Sequence, residues 1–317
     1  MSVIKSLFAF ALIMGGALTA ATLMRASGVH PSIVVPTVTI AGGALVLIMQ
    51  RFAAFSDGWR DYGHDLKVDL VHAIVSTGGA PALLELFAIG WIVVAAEWAS
   101  AALGVTLWPA SLPLVLQLAL ALIIGDFGAY WLHRLAHRSS FVWRFHAVHH
   151  SSEKLYGVNS ARNHPINVAG AYLASVGPLV LLGAPGEALL LLSIYTSVNG
   201  LVQHSNADLN FGIFDWIFAS PALHRRHHHV EIERSNTNFG SNLIFWDVVF
   251  GTRALPRGER NDEVGLPDMT FRSNFWQHLG SPFRIAKLSR DVVESTTECV
   301  RSVYDPATVL VVADSES

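Results

Sequence analysis

An all-α integral membrane bundle of about four to six spanning or re-entrant helices, carrying a histidine-rich helical cap, is the fold this sequence predicts, on three observations. The 317 residues are 52% hydrophobic and only 14% charged, with a mean hydropathy of +0.42, which is more apolar and poorer in charge than a soluble domain. Several stretches reach the roughly 20 apolar residues that a helix needs to cross a ~30 Å hydrocarbon core. Of 15 histidines, eleven lie between His133 and His229. The net charge of −3, without a long basic or acidic run, points to no nucleic-acid partner, and an apolar substrate such as a lipid suits the chain better. Cys299 is the single cysteine, which excludes an intramolecular disulfide framework, a four-cysteine zinc site and a cysteine-ligated iron–sulfur cluster. Metal chemistry must then rest on nitrogen and oxygen ligands.

The first apolar stretch, Ile4 to Met24, has the basic flank and small residues of a signal peptide. Its apolar core is longer than a signal core, and a second stretch, Ser32 to Met49, follows at once, so the pair reads as a retained hairpin. The polar segment Gln50 to Lys67 ends it. Leu70 to Ala99 is apolar but interrupted by Gly78, Gly79 and Pro81, and reads as one kinked span or a re-entrant piece. Leu112 to Leu132 is a cleaner span that runs directly into His133. Val168 to Leu182 and Ala188 to Val202 flank Gly183, Ala184, Pro185 and Gly186, a tight turn between two helices. Two crossings between Lys67 and His133, and two between His164 and His204, leave every histidine cluster on one face. Arg51, Arg60, Lys67, Arg134, Arg138, Arg144, Lys154, Arg162, Arg225 and Arg226 share that face, whereas the opposite loops hold little beyond Arg25. The positive-inside rule makes the histidine face cytoplasmic.

The chemistry sits in the histidine spacing. His133 and His137, at i and i+4 on a helix, place two imidazoles on one face. His146, His149 and His150 repeat at i, i+3, i+4, as do His224, His227 and His228, with His229 adjoining. Eight such ligands on three segments exceed the three or four that one zinc needs, so two metals are the economical reading. The competing reading is that histidines beside arginines at a membrane surface bind anionic headgroups or simply solvate the interface. His30, His64, His72 and His278 are isolated and read as ordinary solvated or core residues.

A metal-bound imidazole usually donates its other N–H to a carboxylate, carbonyl or water. Asp126, two helical turns before His133, is a natural acceptor, and Asp247 is another; the alternative for Asp126 is a cap or anchor at the interface. Arg162 and Asn163 either orient ligands or a substrate head, or are loop residues. Tyr130, Trp131, Trp143, Phe145 and Tyr156 either line a mouth through which a lipid chain reaches the metals or form an interfacial aromatic belt. Glu85 and Glu97 lie in or near an apolar span, where acids are often functional.

The stretch from about Gly125 to Arg253 resembles the fatty acid hydroxylase superfamily, also called the sterol desaturase family, whose pattern is an HxxxH or HxxxxH box followed by two HxxHH boxes. Asp126, Tyr130 and His133-Arg134 are similar to the family's opening motif, and Arg162-Asn163-His164-Pro165 to its R-x-H-P element. Gln203-His204-Ser205-Asn206 resembles its H-S-N site, and Asn238-Phe239-Gly240 with Trp246-Asp247-Val248-Val249-Phe250-Gly251-Thr252 its closing segments. The resemblance implies a di-iron centre on the cytoplasmic side that uses O2 and electrons from a separate carrier to hydroxylate or desaturate a membrane lipid. It places His133, His137, His146, His149, His150, His204, His224, His227 and His228 in the ligand positions. Asn199 stands where some relatives carry a further histidine, leaving one iron with an open position or His164 as the tenth ligand. The expected organisation is an N-terminal hairpin and linker over 1–67, a catalytic domain over 68–257 and a peripheral cytoplasmic tail over 258–317. Two other classes compete. In a zinc-dependent hydrolase the metals would activate water, but the surplus of histidines and the absence of an H-E-x-x-H motif disfavour it. A non-catalytic metal-binding or transport protein would place its ligands near mid-membrane instead of beyond the helix ends.

Overall fold

The computed structural model describes residues 1–104, 107–255, 262–266 and 274–284. Cys299 and most of the 258–317 tail lie outside the described residues. Helices α1 (Val3–Ala26) and α2 (Pro31–Phe52) form the expected hairpin. His30 caps α2 by accepting from the Ser32 amide (3.3 Å), and Pro31 occupies the first turn, where no N–H is needed.

The third apolar region is one unbroken helical run instead of a re-entrant piece. It comprises α3 (Gly63–His72), a π-helical stretch Ala73–Gly79, α4 (Ala80–Leu84), a second π-helical stretch Glu85–Ile89, and α5 (Gly90–Leu103). Pro81 has no N–H for the Thr77 carbonyl, and the wider turns on either side accommodate the interrupted ladder. The apolar part, Asp65–Ala102, has 38 residues, about 57 Å of helix and well beyond one crossing. Its first turns therefore stand in the cap, where Asp69 and His72 are fully buried.

Helix α6 (Leu114–Arg138) continues past the expected end of its span and carries both histidines of the first box. A break at Ser139 starts α7 (Ser140–His150), with the Ser139 hydroxyl accepting from the Val142 amide (3.4 Å). Helices α8 (Pro165–Leu181) and α9 (Gly186–Gln203) are joined through Gly183, whose φ of +84° suits glycine. At 17 residues, α8 is about 25 Å long and falls short of a full crossing. Among the described residues four helices are long and apolar enough to cross a membrane: α1, α2, the 65–102 run and α6. The short helices α10 (Pro221–His227), α11 (Ile232–Ser235) and α12 (Phe245–Val249) complete the cap, with a further helix, α13, over residues 275–284. No strand forms among the described residues; three isolated bridges, such as Ala54 with Ala207, tie loops together.

The hairpins put all histidine boxes at one end. At the cap end the Ser6 hydroxyl accepts from the Asn210 amide (3.0 Å) and the Gln50 carboxamide from the Asn206 amide (3.1 Å). At the far end Arg25 pairs with Glu187 (2.8 Å). Helix α9 is central, packing on α1, α2 and α6 through Leu192, Ile194, Val198 and Val202. The outer faces display Ile4, Phe8, Ile40, Ile74, Leu86 and Trp91, an apolar exterior that suits lipid.

Helices α6 and α8 approach most closely at two glycines one turn apart. A Cβ on Gly128 would stand 1.9 Å from the Ala174 carbonyl oxygen, and one on Gly125 2.8 Å from the Ser175 hydroxyl. Small residues permit this backbone contact in a membrane, where packing and not water exclusion joins helices. Gly128→Ala should force the pair apart, costing about 1–3 kcal/mol or more, and lower the Tm in detergent. Gly15→Ala, with nothing within 4 Å of the new Cβ, should leave the Tm unchanged. Equal Tm values for the two variants would refute the close contact.

Candidate metal centre

Four helix ends deliver nine imidazoles to one buried place. Their ring nitrogens form two groups, His133, His137, His146, His150 and His227 in one, and His149, His204, His224 and His228 in the other, with the ligand atoms of each group within 4.8 Å of one another. The helix explains the division. Residues i and i+4 lie about 40° apart around the axis, whereas i+3 and i+4 differ by about 100°. His146 and His150 thus serve the first group while His149 turns to the second; His224 and His228 serve the second while His227 turns to the first. Each HxxHH box thus splits its three rings between neighbouring groups, which meet where His150 stacks on His228 (centroids 4.3 Å).

Within each group the Nε2 atoms face one another: His137 to His150 (3.2 Å) and His150 to His146 (3.2 Å) in the first, His224 to His204 (2.8 Å) and to His228 (3.0 Å) in the second. Ligand nitrogens about 2.0–2.1 Å from a common ion stand roughly 3 Å apart when at right angles. The Nε2 atoms of His133 and His227 are buried with no hydrogen-bond partner. Such orphaned nitrogens are costly unless a metal takes them. The donor set fits a metal pair.

The outward nitrogens meet acceptors. Nδ1 of His133 faces the Phe239 carbonyl (2.8 Å), His137 the Asn236 carboxamide oxygen (3.2 Å), and His146 that of Asn167 (3.3 Å). His149 faces the Arg162 carbonyl (3.3 Å), His204 the Asn159 carboxamide oxygen (3.1 Å), and His227 the Thr237 carbonyl (2.9 Å). Backbone carbonyls only accept, and each carboxamide presents its oxygen, so the six rings carry the proton on Nδ1 and turn the Nε2 lone pair inward. Burial pushes His149 down to about 3 and lowers His146, His150, His204, His224, His227 and His228, with neighbouring imidazoles adding to the effect. The rings are neutral and able to bind metal.

Asp126 and Asp247 do not touch these rings. Two helical turns put Asp126 on the His133 face but about 10 Å along the axis, out of reach. It accepts instead from the amides of Asn242 (3.0 Å) and Leu243 (2.6 Å) and the Asn242 carboxamide (2.8 Å). Asp247 accepts from the amides of Phe239 (2.8 Å) and Gly240 (2.7 Å) and from the Thr252 hydroxyl (2.6 Å). Both carboxylates fasten the 238–247 segment, which presents the Phe239 carbonyl to His133. Asn238 has a left-handed backbone (φ +57°), held as its carboxamide donates to the Leu223 and Ala254 carbonyls (3.1 and 2.8 Å) and accepts from the Ala254 amide (2.8 Å).

Arg162 is buried and paired with Asp69 (2.5 Å) and Asp65 (3.0 Å), and Tyr156 also donates to Asp69. This network fixes the carbonyl that receives His149. Asn163 accepts through its side chain from Asn167 (2.8 Å), the residue that orients His146. Tyr130 is wholly buried and bonds Thr252 (3.0 Å) and Arg134 (3.0 Å), so it locks the closing segment and lines no mouth. Asn199 lies against the Ser241 carbonyl at 3.5 Å, which Gln203 reaches better at 2.7 Å. His164 lies outside both groups; its Nδ1 accepts from the Ile166 amide (3.1 Å), capping α8, and its Nε2 faces the Leu279 carbonyl (3.4 Å). Sequence reasoning missed Asn159, Asn167, Asn236 and the aspartates that hold Arg162. The one available signal was the four-residue spacing of Asn159, Asn163 and Asn167.

A sequence model of the fatty acid hydroxylase family matches residues 118–252, which contain all nine clustered histidines. The chain is 33% identical to ornithine lipid hydroxylase OlsE of Rhizobium tropici over 76% of its own length and 72% of that protein's. It is 32% identical to the alkylglycerol monooxygenase of Homo sapiens, over 40% of this chain and 28% of the relative. Methylsterol monooxygenase 1-2 of Arabidopsis thaliana is 26% identical over 55% of this chain and 59% of the relative. No solved structure matches. Motifs, gathered histidines and sequence similarity agree that the chain belongs to the fatty acid hydroxylase family, within the sterol desaturase superfamily.

Proposed function

We propose that this protein hydroxylates a membrane lipid with O2 at two non-haem irons, on the cytoplasmic face of the membrane. The observation that carries the reading is the pair of adjacent, all-imidazole groups with five and four donors, buried in a cap directly above lipid-facing helices. Relatives named as a lipid hydroxylase and as monooxygenases support it. Fewer than six nitrogens per group leaves room for a co-substrate, and neutral nitrogen ligands suit a redox-active iron. The basic residues gathered at the cap end support the cytoplasmic side.

Bound iron would supply the overall conversion of a C–H bond to C–OH, with one oxygen atom of O2 leaving as water and two electrons arriving from a separate carrier protein. The chain's own residues set the conditions. Acceptors on Asn159, Asn167, Asn236, Arg162, Thr237 and Phe239 fix ring tautomers before any metal arrives. Burial keeps bulk water from the imidazoles. The bundle below lets an acyl or alkyl chain approach from the bilayer without crossing water. A zinc hydrolase is disfavoured because every donor in both groups is an imidazole, and Asp126 and Asp247, the carboxylates that the sequence offers as partners of the rings, are each committed to backbone amides instead of standing ready to activate water.

Supplying 18O2 to cells that express the protein should place one 18O atom in a lipid product absent from cells expressing His149→Ala. Label arriving only from H218O, or an identical lipid profile under anoxia, would sink the oxygenase reading. Asn167→Ala should weaken metal retention by about 10- to 100-fold without loss of fold, the usual effect of removing an orienting acceptor. Asn167→Asp, which keeps an acceptor, should retain metal; equal loss in both variants would contradict the orienting role. Asp126→Ala strands two buried amides, at about 1–3 kcal/mol each, and should lower the Tm of metal-free and metal-loaded protein alike. An unchanged Tm would remove Asp126 from the anchoring of the 238–247 segment.

A further inference from the structure

His72 and His278, isolated in the sequence, meet in the structure and are both buried. His72 Nδ1 lies 2.9 Å from the Asn163 carbonyl and 3.0 Å from the Ser76 hydroxyl. The carbonyl can only accept, so Nδ1 carries the proton and Nε2 of the neutral ring is an acceptor. His278 Nδ1, 2.9 Å from that Nε2, is therefore the donor. Phe275 packs edge-on against His72 (4.8 Å), and the His164 ring faces the Leu279 carbonyl (3.4 Å). Phe275, His278 and Ser281, spaced by three, form the buried face of α13.

The opposite face is apolar and open. Trp276 and Phe283, two turns apart, are 76% and 82% exposed, with Arg284 beside them. The inner contacts fix the depth of this face. His72 immediately precedes the π-helical stretch that begins at Ala73, flanked by the exposed apolar Leu70, Val71 and Ile74, and His164 caps α8 one residue before its first lipid-facing turn, where Ile166 is exposed. The helix thus lies level with the point where two helices enter the apolar layer. Trp and Phe are favoured there, with a cation for headgroup phosphates.

We propose that α13 is an interfacial strap whose Trp276–Phe283 face rests in the headgroup layer of the bilayer, fastened by the His72–His278 hydrogen bond beside the points where the α3 run and α8 enter the membrane. The partner is the lipid surface.

The full chain, with Cys299→Ser, carries a fluorophore on Trp276→Cys, Phe283→Cys or, as control, Asp57→Cys, and is reconstituted into phosphatidylcholine–phosphatidylglycerol nanodiscs containing doxyl-labelled lipid. Labels at 276 and 283 should be quenched by doxyl lipid at least about twofold more than the label at 57, and be shielded from aqueous iodide. Quenching by iodide instead, or by neither agent, as for a face covered by protein, would overturn the proposal. Added to the 276 label, His278→Leu should shift quenching from lipid to iodide, whereas His278→Asn, which keeps a donor near the Nδ1 position, should not. Unaltered quenching in a folded His278→Leu sample would refute the fastening bond.

Discussion

Nine imidazoles crowd into two touching groups, and the rest of the structure depends on keeping those rings uncharged and aimed. Nine imidazolium ions at these distances would repel one another in a medium that screens poorly. Neutrality comes from burial, and aim comes from the protons held on Nδ1 by carbonyl-type acceptors. Six rings have such an acceptor among the bonds described above. None of those acceptors is a carboxylate, which keeps negative charge off the ligands and leaves any bound metals strongly electrophilic.

The anchoring charges stand one bond further out. Asp126 and Asp247 clamp the 238–247 segment, and Asp69 with Asp65 clamps Arg162. Each clamp ends on a backbone carbonyl that receives a ring, Phe239 for His133 and Arg162 for His149. The glycine contact between α6 and α8 sets the spacing of the two helices that carry the first box and Asn167. Membrane packing and ligand geometry are therefore the same problem: a shift in the bundle moves the acceptors relative to the rings.

Much of this was legible in the sequence. Hydropathy located the hairpins, and box spacing located eight of the nine rings, because an apolar run of about 20 residues and an i, i+3, i+4 pattern each have few physical alternatives; His204, which stands in no such pattern, came from the family resemblance alone. The splitting of each HxxHH box between two groups also follows from helical angles, once both groups are known to exist. The acceptors were not legible: Asn159, Asn167 and Asn236 stand in no pattern with the histidines, and only tertiary proximity makes them partners. Asp126 misled because angular agreement along a helix ignores the rise of 1.5 Å per residue. His72 and His278 are 206 positions apart, beyond any local pattern.

The most direct test of the account is the metal content of detergent-purified protein from iron-replete cells, measured per chain beside the His133→Ala and His204→Ala variants. Two separate groups predict about two irons in the parent chain, with loss from the five-donor group in His133→Ala and from the four-donor group in His204→Ala. One ion per chain in the parent, or a folded sample without metal, would contradict it.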